Sequence, residues 1–350
     1  MKKILIPCFL LLFSLGVLKS AKAQDANSDP VAYMNAITTA ETQMNKTYMA
    51  YISASAHSGR KRKIERLRDQ AIESILTCQS NLKYLSPFKG DNSFRQNSLN
   101  YVQLCYKVFN DDYAHIVNMD DIAERSYDEM QAYLLLQQAT NDTLQVAIKR
   151  MMKAQESFAS KYNITLTNER TELGDKMEQS NRMDEYRNKV YLMFYKCNWE
   201  DNQLTESVNQ KNVTKIEQVR SALDKYAIEG LAKLDTLKAF DNDASLTEAC
   251  KQALNFYKTE AETQIPGITD FFLKEENFTK LKNAMDAKAA NQRTQQDVDT
   301  YNKGVSDINA AVNTYNQTNS DLNSGRKEVN QVWEATEKQF IDTHTPYYKL

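Results

Sequence analysis

Apolar residues recur every three or four positions along most of the chain, the spacing of one buried face of an α-helix. The first such stretch starts at Asp29-Pro30 and ends near Ser58; its apolar positions include Met34, Ile37, Met44, Tyr48, Tyr51 and Ile52. The same spacing predicts helices over residues 62–85, 93–116 and 120–162. Four helices can enclose a core. The first half of the chain is therefore predicted to form an up-down helical bundle.

The second predicted helix and the turn after it recur 152 residues later. Each turn has the sequence F-x-x-D-x-S, and we assign a structural role to Phe88, Asp91, Ser93, Phe240, Asp243 and Ser245. We expect the two phenylalanines to close equivalent ends of two cores. Gln96 and Glu248 each follow a serine by three residues, which predicts that the serines cap the next helices in reciprocal capping boxes. The sequence thus predicts tandem duplicated bundles, over residues 24–168 and 169–350.

A long polar segment with an apolar stripe follows Pro266-Gly267. The stripe has the 3-4 spacing of a coiled-coil seam, and its members are Val298, Tyr301, Val305, Ile308, Val312, Tyr315, Leu322, Val329, Trp333 and Phe340. Asn319 and Arg326 occupy polar seam positions. We expect the stripe to pack on the protein's own helices, with a partner coiled coil as the alternative. Gly304 and Gly325 are predicted to kink or divide the segment.

Composition also indicates an all-α protein. Only four prolines and seven glycines follow residue 23, fewer than the turns of a large β-rich protein require. Alanine, glutamate, lysine, glutamine and leucine, which favour helix, are abundant.

The amino terminus has the pattern of a secretory signal peptide. Lys2 and Lys3 precede an apolar run of residues 4–18, and small residues stand at the positions that predict cleavage after Ala23. We therefore expect residues 1–23 to be removed and the protein to be exported to the periplasm or the cell surface. The mature chain keeps 40 basic against 46 acidic residues, a net charge of about −6, which argues against nucleic-acid binding. It contains no other apolar run of membrane-spanning length.

Four cysteines follow the signal peptide: Cys78, Cys105, Cys197 and Cys250. An even number in an exported protein permits disulfides without requiring them. Cys78 and Cys105 lie at similar distances from Gly90 on two adjacent predicted helices, so they can form a bridge. Buried free thiols are the alternative.

Few residues suggest catalysis or metal binding. Asp112 and His115 form one Asp-x-x-His pair, whereas a dinuclear centre in a bundle requires two Glu-x-x-His pairs and two further carboxylates. The chain has no G-x-S-x-G, glycine-rich phosphate loop or H-E-x-x-H motif. We therefore expect a non-enzymatic protein without a cofactor, and Asp112 and His115 are the candidates for the alternative, a metal or small-ligand protein.

The densest basic run is Arg60, Lys61, Arg62 and Lys63, at the predicted turn between the first two helices. An exposed cluster of this kind can bind a sulfated glycan, a phosphate group or an acidic protein. A solvated turn that leads into a helix with i,i+4 ion pairs is the alternative.

Several stretches of the first half resemble a poorly characterised family of bacterial secreted helical surface proteins. They are DPVAYM at 29–34, AHSG at 56–59, FKGDNSFR at 88–95, NDDYAHIV at 110–117 and AERSYD at 123–128. The likeness covers roughly residues 29–160 and implies location more than activity. The sequence therefore predicts an exported helical envelope or surface protein that binds a protein or glycan partner.

Overall fold

The computed structural model describes residues 16–17, 28–112, 126–167 and 171–350. The protein is all-α, as predicted. Its helices are α1 (Pro30–His57), α2 (Lys61–Tyr84), α3 (Ser93–Tyr106), α4 (Tyr127–Lys161), α5 (Glu172–Asn209), α6 (Val213–Thr236), α7 (Ser245–Thr259), α8 (Ile265–Asp286) and α9 (Gln295–His344). The strands β1 (Gly16–Val17) and β2 (Leu166–Thr167) form a two-residue antiparallel pair. None of the described helices has the length and apolar character that crossing a membrane requires.

The chain forms two compact units. The first contains Met1–Asn188 together with Gln339–Leu350, and the second contains Lys189–Lys338. The division falls within helices α5 and α9. The predicted domain boundary at residues 168 and 169 lies inside the first unit, and the predicted cleavage site after Ala23 lies outside the described residues.

The core of the first unit is built from helices α1 to α4, with α1 packed on α2 and α3 packed on α4. Aromatic rings from three elements meet in it. The Tyr33 ring lies 5.2 Å from that of Phe88 and 5.4 Å from that of Phe158, and all three residues are at most 1% exposed. Rings at these separations bury a large apolar area and add a favourable ring–ring interaction. Phe88 therefore anchors the turn that joins α2 to α3.

In the second unit, the apolar stripe of α9 packs against other helices of the same unit. Trp333 is fully buried and stacks on Phe194 of α5, with ring centroids 4.3 Å apart. Tyr315 stacks on Phe271 of α8 at 4.4 Å. The seam thus has the intramolecular packing that its spacing predicted.

Of the two predicted effects of the glycines in α9, a kink or a division, the structure excludes the division, because the helix is continuous from Gln295 to His344. A Cβ atom on Gly304 would lie 2.6 Å from Leu281, and one on Gly325 would lie 2.3 Å from Phe256. The glycines permit close approach of a neighbouring side chain to the helix backbone. The sequence pattern alone does not distinguish this role from a break.

Helix bounds recur at the predicted offset of 152 residues. Helices α1 and α5 end at His57 and Asn209, and α2 and α6 begin at Lys61 and Val213 and end at Tyr84 and Thr236. Helices α3 and α7 both begin at the serine of F-x-x-D-x-S, and each continues into a π-helical segment, Lys107–Asp112 and Glu260–Gln264 respectively. Common origin by duplication stays a prediction.

The two F-x-x-D-x-S turns share one backbone geometry. Phe88 and Asp91 exchange two backbone hydrogen bonds of 2.8 and 3.0 Å, and Phe240 and Asp243 exchange two of 2.8 and 3.1 Å. Two positive φ angles lie within each turn, and Asn242 (φ 68°) takes the place that Gly90 (φ 83°) has in the first. Asparagine tolerates this left-handed conformation better than most residues.

The helix caps after these turns differ from the predicted capping boxes. Ser93 and Ser245 are the first helical residues, and the N-cap positions belong to Asn92 and Ala244, neither of which makes a capping side-chain bond. The aspartate supplies the acceptor: Oδ1 of Asp91 accepts the Ser93 backbone N–H at 3.0 Å, and Oδ1 of Asp243 accepts that of Ser245 at 2.8 Å. An aspartate two residues ahead can satisfy an orphan amide in an Asx-type turn.

Cys78, Cys105, Cys197 and Cys250 are free and buried, the second of the two alternatives left open above. Burial raises the pKa of all four thiols, that of Cys105 to about 12 and that of Cys197 to about 12. Because the thiolate is the reactive form, burial and the raised pKa values favour a packing role for these cysteines.

Candidate functional site

The basic turn, residues 60–63, joins α1 to α2. All four side chains, Arg60, Lys61, Arg62 and Lys63, are exposed. Arg60 stands at the N-cap position of α2 and makes no capping side-chain bond, and the first turn of the helix contains no acidic residue. Among the described residues, none forms an ion pair with these four cations. Cations at a helix amino terminus oppose the helix dipole, so their placement here does not stabilise the fold.

In the corresponding turn, 152 residues later, a side chain caps the start of the helix. Asn212 stands where the first turn has Arg60, and its Oδ1 accepts the backbone N–H of Lys215 at 3.1 Å. Lys211, just before it, pairs with Glu275 of α8 at 2.7 Å. Residues 212–215 therefore have a side-chain cap and one cation, Lys215, whereas residues 60–63 have no side-chain cap and four cations.

The end of α1 beside the basic turn is fixed to residues 342–350, which are the end of α9 and the segment after it. Nδ1 of His57 lies 2.8 Å from Oδ1 of Asp342, and Nε2 lies 3.0 Å from the carbonyl oxygen of Thr345. The His57 ring also stacks on Tyr347, with centroids 3.6 Å apart. These contacts fix the end of α1, from which the basic turn begins.

The predicted metal ligands receive no support as a site. His115 lies outside the described residues, and Asp112 is described only as the end of the π-helical segment after α3. Within residues 28–110, 126–167 and 171–350, no group of three or more histidine, cysteine, aspartate or glutamate residues could hold a metal ion.

The residues assigned a structural role lie in the two F-x-x-D-x-S turns. Phe88 is fully buried and Phe240 is 5% exposed. Asp91 also pairs with Lys161 of α4 at 2.7 Å, and the hydrogen bond from Lys161 lowers the pKa of Asp91. This turn follows the carboxyl end of α2, whose 24 residues span about 36 Å, so it is not part of the basic turn at the other end.

A cavity that we did not predict lies in the first unit beside Glu41. Its volume is about 290 Å³, and it is lined by Thr38, Glu41, Thr42, Asn45, Lys46, Met151, Gln155, Thr171, Glu172, Leu173, Met177 and Tyr348. Glu41 is 4% exposed, and burial raises its pKa to about 7. The sequence signal was an acidic residue within an apolar stripe, between Ile37 and Met44.

A buried ionic cluster in the second unit was only half predicted. Arg326, the polar seam residue, donates through Nε to Oδ1 of Asp201 at 2.7 Å and through a terminal nitrogen to Oε1 of Glu260. Asp201 is 2% exposed and Glu260 is fully buried. Burial and then the Asp201 charge raise the pKa of Glu260. Both acids interrupt apolar stripes, as Glu41 does, but their pairing with Arg326 depends on tertiary packing.

Comparisons of the chain with protein-family models, with curated proteins and with solved structures found no match.

Proposed function

We propose that this chain is an exported, non-enzymatic helical protein of the cell envelope that binds an acidic glycan through the basic turn, residues 60–63. The observation that carries the proposal is the contrast between the two corresponding turns. One has four exposed cations without ion pairs among the described residues, whereas residues 212–215 of the other contain one cation, Lys215, and are capped by Asn212. The four basic side chains therefore contribute no cap and no ion pair to the described part of the fold.

A sulfated or carboxylated glycan suits this surface because its anionic groups repeat along a flexible chain. Adjacent cations attract such a chain and compensate its charge, and their exposure keeps most of the desolvation cost low. An acidic segment of a protein offers the same charges and is the competing partner class. The signal peptide and the family resemblance support the proposed location.

The test measures binding of heparin fragments of uniform length by calorimetry. Changing Arg60, Lys61, Arg62 and Lys63 to glutamine should weaken binding roughly tenfold or more, and added salt should weaken wild-type binding. The charge-matched control changes four exposed lysines elsewhere, Lys233, Lys238, Lys303 and Lys327, to glutamine. Equal losses in both variants would contradict a specific site. Tighter binding of polyglutamate than of heparin would favour an acidic protein partner.

A further inference from the structure

The cavity beside Glu41 contains two buried polar atoms that the protein leaves unpaired. Oε1 of Glu41 and Nε2 of Gln155 have no hydrogen-bond partner among the described residues, although Glu41 is 4% exposed and Gln155 is 2% exposed. Buried polar groups are almost always hydrogen-bonded, and an exception requires an explanation. Both residues line the same cavity, one from α1 and the other from α4. The pair offers an occupant one acceptor and one donor.

Charge around Glu41 is not balanced by the protein. In the described part of the chain no cation forms an ion pair with it. The charged groups that line the cavity are Lys46, which is exposed on α1, and Glu172, which is exposed and pairs with Lys176 at 2.9 Å. The groups that face Glu41 from the core are Ser98, Tyr101, Cys78 and Cys105, and burial keeps the phenol and both thiols neutral. An ionised Glu41 therefore favours a cationic occupant.

The remaining walls and the size limit what can enter. Met151, Leu173, Met177 and the side chain of Tyr348 supply apolar surface. A volume of about 290 Å³ holds roughly ten water molecules and lies at the small end of known ligand sites. Tyr348 is held in place because its backbone N–H donates to Oγ of Ser53 at 2.8 Å.

We propose that this cavity binds a small protonated amine. The ammonium group donates to the Glu41 carboxylate, an oxygen near the amine accepts the N–H of Gln155, and an apolar substituent lies against Met151, Leu173 and Met177. The site is independent of the basic turn and of the glycan proposed there. Ligand binding would explain why an acidic residue, Glu41, lies within the apolar stripe of α1.

The experiment titrates the full chain calorimetrically at pH 8 with two probe amines and their amine-free analogues. Leucinol is compared with 4-methyl-1-pentanol, and tyramine with 4-ethylphenol. We expect saturable one-to-one binding of at least one amine, at least about tenfold tighter than that of its analogue. Binding should be lost in Glu41→Gln and kept in Glu73→Gln, which removes an exposed charge that does not line the cavity. Gln155→Leu should weaken the binding of leucinol, whose hydroxyl group lies near its amine.

Acidification provides a second readout. Both amines stay protonated from pH 6 to pH 8, whereas Glu41 takes up a proton, so the affinity should fall roughly tenfold at pH 6 in the wild type. The proposal is overturned if neither amine binds at about 1 mM, a weak affinity for a small ligand. Equal binding of amine and analogue, or unchanged binding in a folded Glu41→Gln variant, would also overturn it and leave a water-filled cavity.

Discussion

Residues 61–112 and 213–264 follow the same helical course at an offset of 152 residues, yet the two units that contain them bury different polar groups. Asp201 and Glu260 of the second unit correspond to Met49 and Val108 of the first, which are both buried apolar residues. Glu41 of the first corresponds to Met193 of the second. The shared helix bounds therefore do not determine where charge is placed inside the unit.

The difference shows two ways in which a buried acid is accommodated. In the second unit Arg326 donates to both Asp201 and Glu260, so this closed cluster contains its own cation. In the first unit Glu41 has no such cation among the described residues and faces a cavity. A closed cluster serves the fold, whereas an uncompensated acid beside a cavity is suited to a ligand.

The largest expected effect comes from removing the cation of the closed cluster. Arg326→Met should lower the free energy of unfolding by roughly 3–5 kcal/mol, because it leaves two buried acids without their partner. Urea unfolding followed by circular dichroism measures the change. Lys327→Met, at the exposed neighbouring position, is the control. A loss below about 1 kcal/mol for Arg326→Met would show that the cluster does not serve the fold.

A loss of similar size is expected at the two F-x-x-D-x-S turns. Phe88→Ala and Phe240→Ala should each lower the free energy of unfolding by roughly 3–5 kcal/mol, because both rings are buried at the same turn. Denaturant unfolding of the two single variants compares them directly. Losses below about 1 kcal/mol at both sites would mean that the matched turns are surface features.

Much of this fold was predictable because helix spacing and turn chemistry are local. The bounds of α1 and α2 fall within one residue or two of those that apolar spacing predicts. The capping boxes were wrong because an aspartate two residues earlier competes for the same amide. Of the polar sites, Arg326 was visible as a charged seam residue. Its partners and the Glu41 cavity were not, since both depend on which helices meet in three dimensions.

Replacing Glu41 of the first unit is expected to have a smaller effect of opposite sign, an increase in the free energy of unfolding. The pKa of Glu41 is raised in the folded chain, from an ordinary 4.5 to about 7. Stability therefore falls as the pH rises from 4.5 to about 7, because the unfolded chain releases its proton first, and the loss is complete above pH 7. Glu41→Gln should raise the free energy of unfolding at pH 8 by up to about 3 kcal/mol and have little effect at pH 4.

Urea unfolding of the wild type and Glu41→Gln at both pH values measures this difference, with Glu73→Gln as the exposed control. A variant that is less stable than the wild type at pH 8 would mean that Glu41 has a stabilising partner.

The smallest expected effect concerns the π-helical segments after α3 and α7. Arg68 donates to the carbonyl oxygen of Phe109 at 3.5 Å, and Arg220 donates to that of Ala261 at 3.3 Å, again at an offset of 152 residues. Each arginine satisfies a carbonyl in a segment with irregular helical bonding. Arg68→Met and Arg220→Met should each cost about 1 kcal/mol of unfolding free energy. A clear loss of unfolding free energy in only one of the two variants would show that the two arginines do not have the same role.

The contrast between Glu41, which faces the cavity, and Glu260, which pairs with Arg326, is tested most directly by a carbon-13 NMR titration of the glutamate side-chain carboxyl groups. The Glu41 signal is assigned from its disappearance in Glu41→Gln, and the Glu260 signal from Glu260→Gln. We expect Glu41 to titrate with a midpoint near pH 7 and to shift when leucinol or tyramine is added at pH 8, whereas Glu260 stays protonated through pH 7 and does not respond to either amine. A Glu41 midpoint near 4.5, without a response to amines, would contradict the account.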